Sequence, residues 1–250
     1  MTGRIFDVKE MALHDGSGVR VTVFLKGCPL RCEWCHNPEG LKKQKQLLYK
    51  KVRCTHCGLC RAGCDHEECK PYGRCLPVCP IDCLLECGQD VESSALVDRL
   101  CRYVPIFRLC GGGVTFSGGE PLMQAEFVLQ TIQALRQRGV EHIAIETCAY
   151  AEPNVFQEVA RACDEVIMDV KIFDREEHKK RTGVYNDVIK ENYLWLKTSG
   201  ISHVVRTPLI AGKTDGEENL RQIEEFVKGS IWEKLPENNL AQAKYENLTD

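Results

Sequence analysis

Hydrophobic residues keep two different rhythms along this chain, and the stretch between them keeps none. After a polar lead-in, VRVTVFL (19–25) reads as a buried strand. Residues 49–88 are rich in Cys, Gly and Pro and carry no hydrophobic period. From Val91 a regular alternation begins, with helix 92–104, strand VTFS (114–117), helix 124–138, strand HIAIE (142–146) and helix 153–162. Strand EVIMDVK (165–171) follows, then helices near 175–181 and 186–198, strand SHVVRT (202–207) and helix 217–228. A short last strand is predicted at 231–235. The link before it is brief and the chain stops at Asp250, soon after LPENNLAQAKYE, so this strand is expected to be poorly formed.

Strands that alternate with helices imply βαβ units and a parallel sheet. The count fits an α/β fold, a partial parallel (β/α)6 barrel spanning 1–250, with a small cysteine-rich insert at 49–88. An open doubly wound sheet is the alternative. In parallel barrels the active site lies at the C-terminal strand ends. The chemistry-bearing residues fall there: a cysteine loop after the first strand, Gly118, Gly119 and Glu120 after the second, Glu146 and Thr147 after the third, Asp169 and Lys171 after the fourth, Arg206 at the fifth. Strand residues two apart share a face, so Asp169 and Lys171 point together while Met168 and Val170 point away.

Charge narrows the function. Net charge is −3 with no basic stripe, which argues against nucleic acid. No apolar run approaches the roughly 20 residues that span a bilayer. MTGRIFDVKEMALHDG lacks the layout of a signal peptide. Sixteen cysteines in such a chain, twelve of them between Cys28 and Cys87, read as metal ligands in a reducing cytoplasm rather than as disulfides. The other four, Cys101, Cys110, Cys148 and Cys163, stand at no ligand spacing and are expected to pack as small hydrophobes.

Cys28, Cys32 and Cys35 share the segment GCPLRCEWCHNPEG. Three thiolates on one loop can hold an iron–sulfur cube and leave the fourth iron open to a substrate. Zinc on the same cysteines with His36 is the competing reading, because soft thiolates suit both. The insert carries CTHCGLCRAGC (54–64), a bacterial ferredoxin run, and then CKPYGRCLPVCP (69–80). In two-cluster ferredoxins the fourth cysteine of each run crosses to the other cluster. Cys54, Cys57, Cys60 and Cys79 then complete one 4Fe–4S site. Cys64, Cys69 and Cys75 form a second that lacks one thiolate, because Tyr72 stands where the ligand is due. Cys83 or Cys87 is the preferred completion, ahead of the Tyr72 phenolate. A zinc ribbon fits such runs of three poorly.

The strings FDVKEMALHDGSGVRVTVFLKGCPLRCEWCHNPEG, GGGVTFSGGEPLMQAEF, ETCAYA, MDVKIFD and VRTPLIAG resemble the activating enzymes of glycyl-radical enzymes, the pyruvate formate-lyase activase family of the radical S-adenosylmethionine superfamily. The insert places the likeness with the ferredoxin-bearing subgroup. The resemblance implies a barrel of radical SAM type, a catalytic 4Fe–4S cluster on Cys28, Cys32 and Cys35, one or two auxiliary clusters, and S-adenosyl-L-methionine. It implies that a 5′-deoxyadenosyl radical removes hydrogen from a backbone glycine of a partner glycyl-radical enzyme, with flavodoxin or ferredoxin as electron donor. It also assigns Gly118, Gly119 and Glu120 to the cofactor's amino group, and Glu146, Thr147 and Asp169 to its carboxylate through a monovalent cation. Lys171 and Arg206 become cofactor contacts, and His36 a neighbour of the adenine. Asp169, Lys171 and Arg206 are the implied catalytic set. Position 146 is Glu where the formate-lyase activase has Asp, and position 149 is Ala where many relatives have Gly. Two rivals remain: a radical SAM enzyme that modifies a small molecule or RNA, and an iron–sulfur electron carrier that uses the insert alone.

Overall fold

The chain opens with a strand where the sequence reads as a polar lead-in: β1 (Thr2–Ala12) runs antiparallel to β2 (Arg20–Leu25). Its alternating burial explains the misreading, since one face is exposed and carries the charges. The computed structural model describes residues 1–237 and 241–249. After β2 come β3 (Gln46–Tyr49), β4 (Leu84–Cys87) and β5 (Gln89–Glu92). Helix α1 (Ser93–Cys101) is followed by α2 (Val104–Cys110), so the single helix expected over 92–104 is two. Pro105 stands in the first turn of the second, where its missing N–H costs nothing and where it cannot continue the first.

The repeating part follows as β6 (Gly113–Gly118), α3 (Ala125–Gln137), β7 (Ile143–Thr147), α4 (Pro153–Ala162), β8 (Glu165–Asp169), α5 (Arg175–Thr182) and α6 (Asp187–Thr198). Then come β9 (Ser202–Leu209), α7 (Glu217–Val227), β10 (Ile231–Pro236), α8 (Ala241–Asn247) and β11 (Leu248–Thr249). The helices bury one stripe each. In α3 it is Phe127, Val128, Thr131, Ile132 and Leu135, the helical period that the sequence pattern carried.

The main sheet has the order β10-β9-β8-β7-β6-β2-β1-β5. From β2 to β10 its pairs are parallel and its order is the chain order. A doubly wound sheet reverses direction at a switch point, and this one does not; the partial barrel is the observed winding. The sheet is nevertheless mixed, because β1 and β5 add an antiparallel edge. The last strand is better formed than expected, since β10 pairs with β9 from Ile231 to Pro236.

The insert has its own frame. Strand β3 pairs antiparallel with β4 on one side and β11 on the other in a three-stranded sheet, over a small cluster built on Leu47, Cys83 and Leu84. Lys26 joins insert and barrel. Its buried Nζ donates to Gln46 Oε1 at 2.8 Å and to the Glu39 carbonyl, and lies 3.7 Å from Cys87 Sγ.

At the N-terminal ends of the strands a buried Arg20 donates to the Val114 carbonyl at 2.7 Å, to Thr115 Oγ1 at 3.0 Å and to His142 Nδ1 at 2.8 Å. Burial pulls this guanidinium down to about 10, against the pull of Glu165. That pole of the barrel is given to stability, which leaves the opposite pole for chemistry.

Candidate active site

Six chain segments meet around one cavity at the C-terminal strand ends. Its walls are Cys28, Cys32, Cys35 and His36 from the loop after β2, Gly118 and Gly119 after β6, Glu146 and Thr147 of β7, Asp169 and Lys171 at β8, and Pro208 of β9. Ser117, Trp34, Asn37, Leu30, Leu235 and Cys148 complete it. Cys148 is buried as expected, yet it also forms part of this wall. Of the other three unclustered cysteines Cys163 is buried, Cys101 is half-buried, and Cys110 is exposed, contrary to the packing expectation.

The three loop thiols are free and half-buried. Burial, with Glu120 nearby, pushes Cys28 up to about 12. Burial pushes Cys32 up to about 11, against the pull of Lys171. Thiols held this way keep their protons until a metal displaces them. Three such donors on one loop, turned to one cavity, fit a cluster with an open position. Lys244 of α8 braces the same loop, donating to the His36 carbonyl at 3.1 Å and to Asn37 Oδ1 at 2.9 Å.

The two glycines of FSGGEP answer to the protein's own backbone. A Cβ at Gly118, where φ is +124°, would lie 2.2 Å from the Leu25 carbonyl oxygen, and one at Gly119 would lie 2.3 Å from that of Gly27. Close approach is needed here to seat the loop against the end of β2.

Glu120 lies behind the cavity wall and is not part of it. Its Oε1 accepts from Thr147 Oγ1 at 2.6 Å and from the Leu122 amide at 3.0 Å, and its Oε2 from the Cys148 amide at 2.8 Å. Burial pushes this carboxyl up, opposed by those donors. Each oxygen thus has a protein donor, and through them Glu120 ties the β6 loop to the β7 loop.

Arg206 is likewise committed. It donates to Glu233 Oε2 at 2.8 Å, to Glu146 Oε1 at 3.2 Å and to the His14 carbonyl at 2.7 Å. The other Glu146 oxygen accepts from Ser117 Oγ at 2.6 Å. Burial and the nearby Asp169 push the Glu146 carboxyl up, while Ser117 and Arg206 oppose them. The sequence reading put a monovalent cation beside Glu146, and the Arg206 guanidinium stands against the same carboxylate. Arg206 stands in register with Asp169 on β8 and Glu233 on β10, and its side chain bonds Glu233 and reaches past β8 to Glu146 of β7.

Residues 22–223 match the Radical SAM superfamily. The chain is 36% identical to the choline trimethylamine-lyase activating enzyme of Oleidesulfovibrio alaskensis, over 98% of this chain and 86% of that one. It is 37% identical to the 4-hydroxyphenylacetate decarboxylase activating enzyme of Clostridium scatologenes, with the same coverage of 98% and 86%. The solved structure of Streptococcus suis SuiB bound to precursor peptide SuiA matches 84% of this chain and 37% of that one, at a TM-score of 0.54 and 11% identity, a likeness of fold alone. The chain belongs to the radical SAM superfamily, among the activating enzymes of glycyl-radical enzymes. Its cofactors are a 4Fe–4S cluster and S-adenosylmethionine, which together supply the radical that takes hydrogen from a glycine of the partner enzyme.

Within this radical SAM chain, buried asparagines that the sequence reading missed hold the loops at the strand ends. Asn192 of α6 donates to the carbonyls of Ala149 and Ala151, both at 2.9 Å, and Asn186 to those of Ile172 and Phe173. Ala149 needs the help. Its φ of +54° suits glycine, and an alanine there costs roughly 1–2 kcal/mol. Asn192 stands on the buried stripe of α6 with Ile189, Tyr193 and Leu196, and a polar residue at an apolar-period position is the sequence signal it gives.

The insert splits into two thiol groups. Cys54, Cys57, Cys60 and Cys79 line one small cavity together, and Cys83 lies in the same wall, its Sγ 3.3 Å from that of Cys79. Cys83 is thus a neighbour of the first site and does not complete the second. Cys87 faces Lys26, and Tyr72 donates to Glu86 Oε2 at 3.0 Å. None of the three candidates raised for the missing ligand reaches Cys64, Cys69 and Cys75. His66 does.

No helix among the described residues is long and apolar enough to cross a membrane.

Proposed function

We propose that Cys28, Cys32 and Cys35 hold the catalytic cluster of this activating enzyme, and that Lys171, Asp169, Thr147 and His36 bind S-adenosylmethionine around it. Gly118 and Gly119 give that cavity its floor. Glu120 and Arg206 act one step back, by fixing Thr147 and Glu146. The reading is carried by the convergence of the cysteine loop and the successive strand ends on a single cavity. A glycine Cα suits hydrogen removal, since it has no side chain in the way and is flanked by two amides.

The insert at 49–88 serves as a small ferredoxin-like domain. Its cluster on Cys54, Cys57, Cys60 and Cys79 passes electrons inward from a flavodoxin or ferredoxin in the cytoplasm. The partner is a glycyl-radical enzyme whose chemistry this chain does not name. The likeness to activating enzymes at 36–37% identity favours a protein partner over a small molecule or RNA.

The test uses the reconstituted, reduced protein with S-adenosylmethionine and a candidate glycyl-radical enzyme carrying α-deuterated glycine. Deuterium recovered in 5′-deoxyadenosine, with a glycyl radical in the partner, is the expected result. Deoxyadenosine formed without deuterium across the candidate enzymes would overturn the backbone-glycine assignment. Cys32→Ala should abolish deoxyadenosine formation and remove about four irons per chain.

A further inference from the structure

The second thiol group of the insert is built at a different scale from the first. The ligand atoms of Cys64, His66, Cys69 and Cys75 all lie within 4.8 Å of one another. His66 Nδ1 is 3.1 Å from Cys64 Sγ and 3.7 Å from Cys75 Sγ. We propose that these four residues hold one zinc ion in a Cys3His site, where the ferredoxin pattern calls for a second cube.

Spacing decides between the two. Zinc–sulfur bonds of about 2.3 Å and zinc–nitrogen bonds of about 2.0 Å in a tetrahedron set the ligand atoms roughly 3.5–3.8 Å apart. A cube places each thiolate on a different iron and so spreads them to on the order of 6 Å. Among the described residues this is the one group of three or more His, Cys, Asp or Glu drawn in so closely. Neither Cys28, Cys32 and Cys35 nor Cys54, Cys57, Cys60 and Cys79 is. Room is not the obstacle to a cube, since a cavity of about 220 Å³ opens beside Cys64, Cys69 and Cys75. The thiols would have to move apart to use it.

The ligand chemistry agrees. Three thiolates and an imidazole form a common closed zinc set, and such sites hold small domains that lack a sufficient core. The insert is such a domain, with three buried residues in its own cluster. The site also governs its neighbour: the Cys75 amide donates to the Cys60 carbonyl at 2.9 Å, so closing the loop around zinc fixes a ligand of the first cluster. Zinc has no redox chemistry. The inference rests on ligand geometry and stands apart from the activity proposed above, but it leaves only one auxiliary cluster in the insert to carry electrons.

Metal counting on protein produced with both iron and zinc present tests it. The expected content is about eight irons and about one zinc per chain. About twelve irons without zinc would mean a second cube and overturn the proposal. His66→Ala should lose the zinc and keep the eight irons; full zinc retention in that variant would remove His66 from the site. Should the variant fail to fold, cobalt in place of zinc on the unaltered chain decides. The visible bands of a tetrahedral thiolate–cobalt centre are expected, and their absence is a refutation. Tyr72→Phe should change neither metal.

Discussion

Lys171 Nζ lies 2.7 Å from Asp169 Oδ2 at the end of β8, two residues apart and on one face of the chain. Burial alone would drive this lysine toward neutrality, but the Asp169 carboxylate, as a charge and as a hydrogen-bond partner, opposes it and keeps the ammonium charged. The pair is not a solvated one, with the side chains 12% and 27% exposed.

Asp169→Asn therefore leaves a mostly buried ammonium without its partner. A solvated strand-end charge would cost only within roughly ±0.5 kcal/mol. Here the loss should be about 2 kcal/mol, below the value for a fully buried pair because water still reaches Asp169. S-adenosylmethionine should bind more weakly as well. Thermal melting and calorimetric titration check both. Lost stability with unchanged affinity would make the pair a structural one.

Much of this was legible in the sequence, for identifiable reasons. The strands from β6 to β9 announced themselves because each is a short apolar run between helices with a clear 3.6 period. Asp169 and Lys171 were placed on one face by strand alternation alone. What escaped depends on distance in space rather than spacing in sequence. Strand β1 is half exposed and reads as polar. The resemblance carried by FSGGEP assigned Glu120 to the cofactor, while its donors Thr147 and Cys148, 27 and 28 residues away, could not be read from spacing. His66 escaped because a pattern of four cysteines directs attention to missing cysteines.

The Glu146–Arg206 contact predicts a cation dependence. Both carboxylate oxygens already have donors, at 2.6 Å from Ser117 and 3.2 Å from Arg206, so the positive charge at this point is the protein's own. Cofactor affinity should stay within about twofold when potassium or sodium is replaced by a bulky organic cation, a change of under about 0.5 kcal/mol. Arg206→Met should make binding depend on the monovalent ion, which would then fill the vacated place. A strong ion requirement in the unaltered protein would contradict this.

His142 predicts a pH dependence of stability. Burial lowers its pKa first, and the Arg20 guanidinium 2.8 Å away lowers it further; Arg136 adds to this, while Asp164 and Glu165 oppose it. The folded state thus binds fewer protons than the unfolded chain in the range just below the ordinary histidine value, about 6.5. Stability is present in full above that value and falls as pH drops through it. Buried His178 acts in the same direction. Urea midpoints measured across this range should fall toward acid, and His142→Gln should flatten part of the slope. A slope that the variant leaves unchanged would show that other groups carry it.

Glu120→Gln separates bracing from cofactor binding. The carboxylate satisfies two amides and a hydroxyl from two loops, and it is 1% exposed. If the glutamine oxygen keeps Thr147 and Leu122, its NH2 group must face the Cys148 N–H, donor against donor. That leaves a buried amide unpaired and removes a charge-assisted bond, at a cost of roughly 2–3 kcal/mol. Hydrogen exchange at the Cys148 amide should speed up accordingly, while that at the Leu122 amide changes less. The cavity wall at Thr147 and Cys148 would loosen with it, so the KM for S-adenosylmethionine should rise in the same variant. A residue that only met the cofactor would raise KM and leave melting and exchange untouched. That outcome would return Glu120 to the cavity.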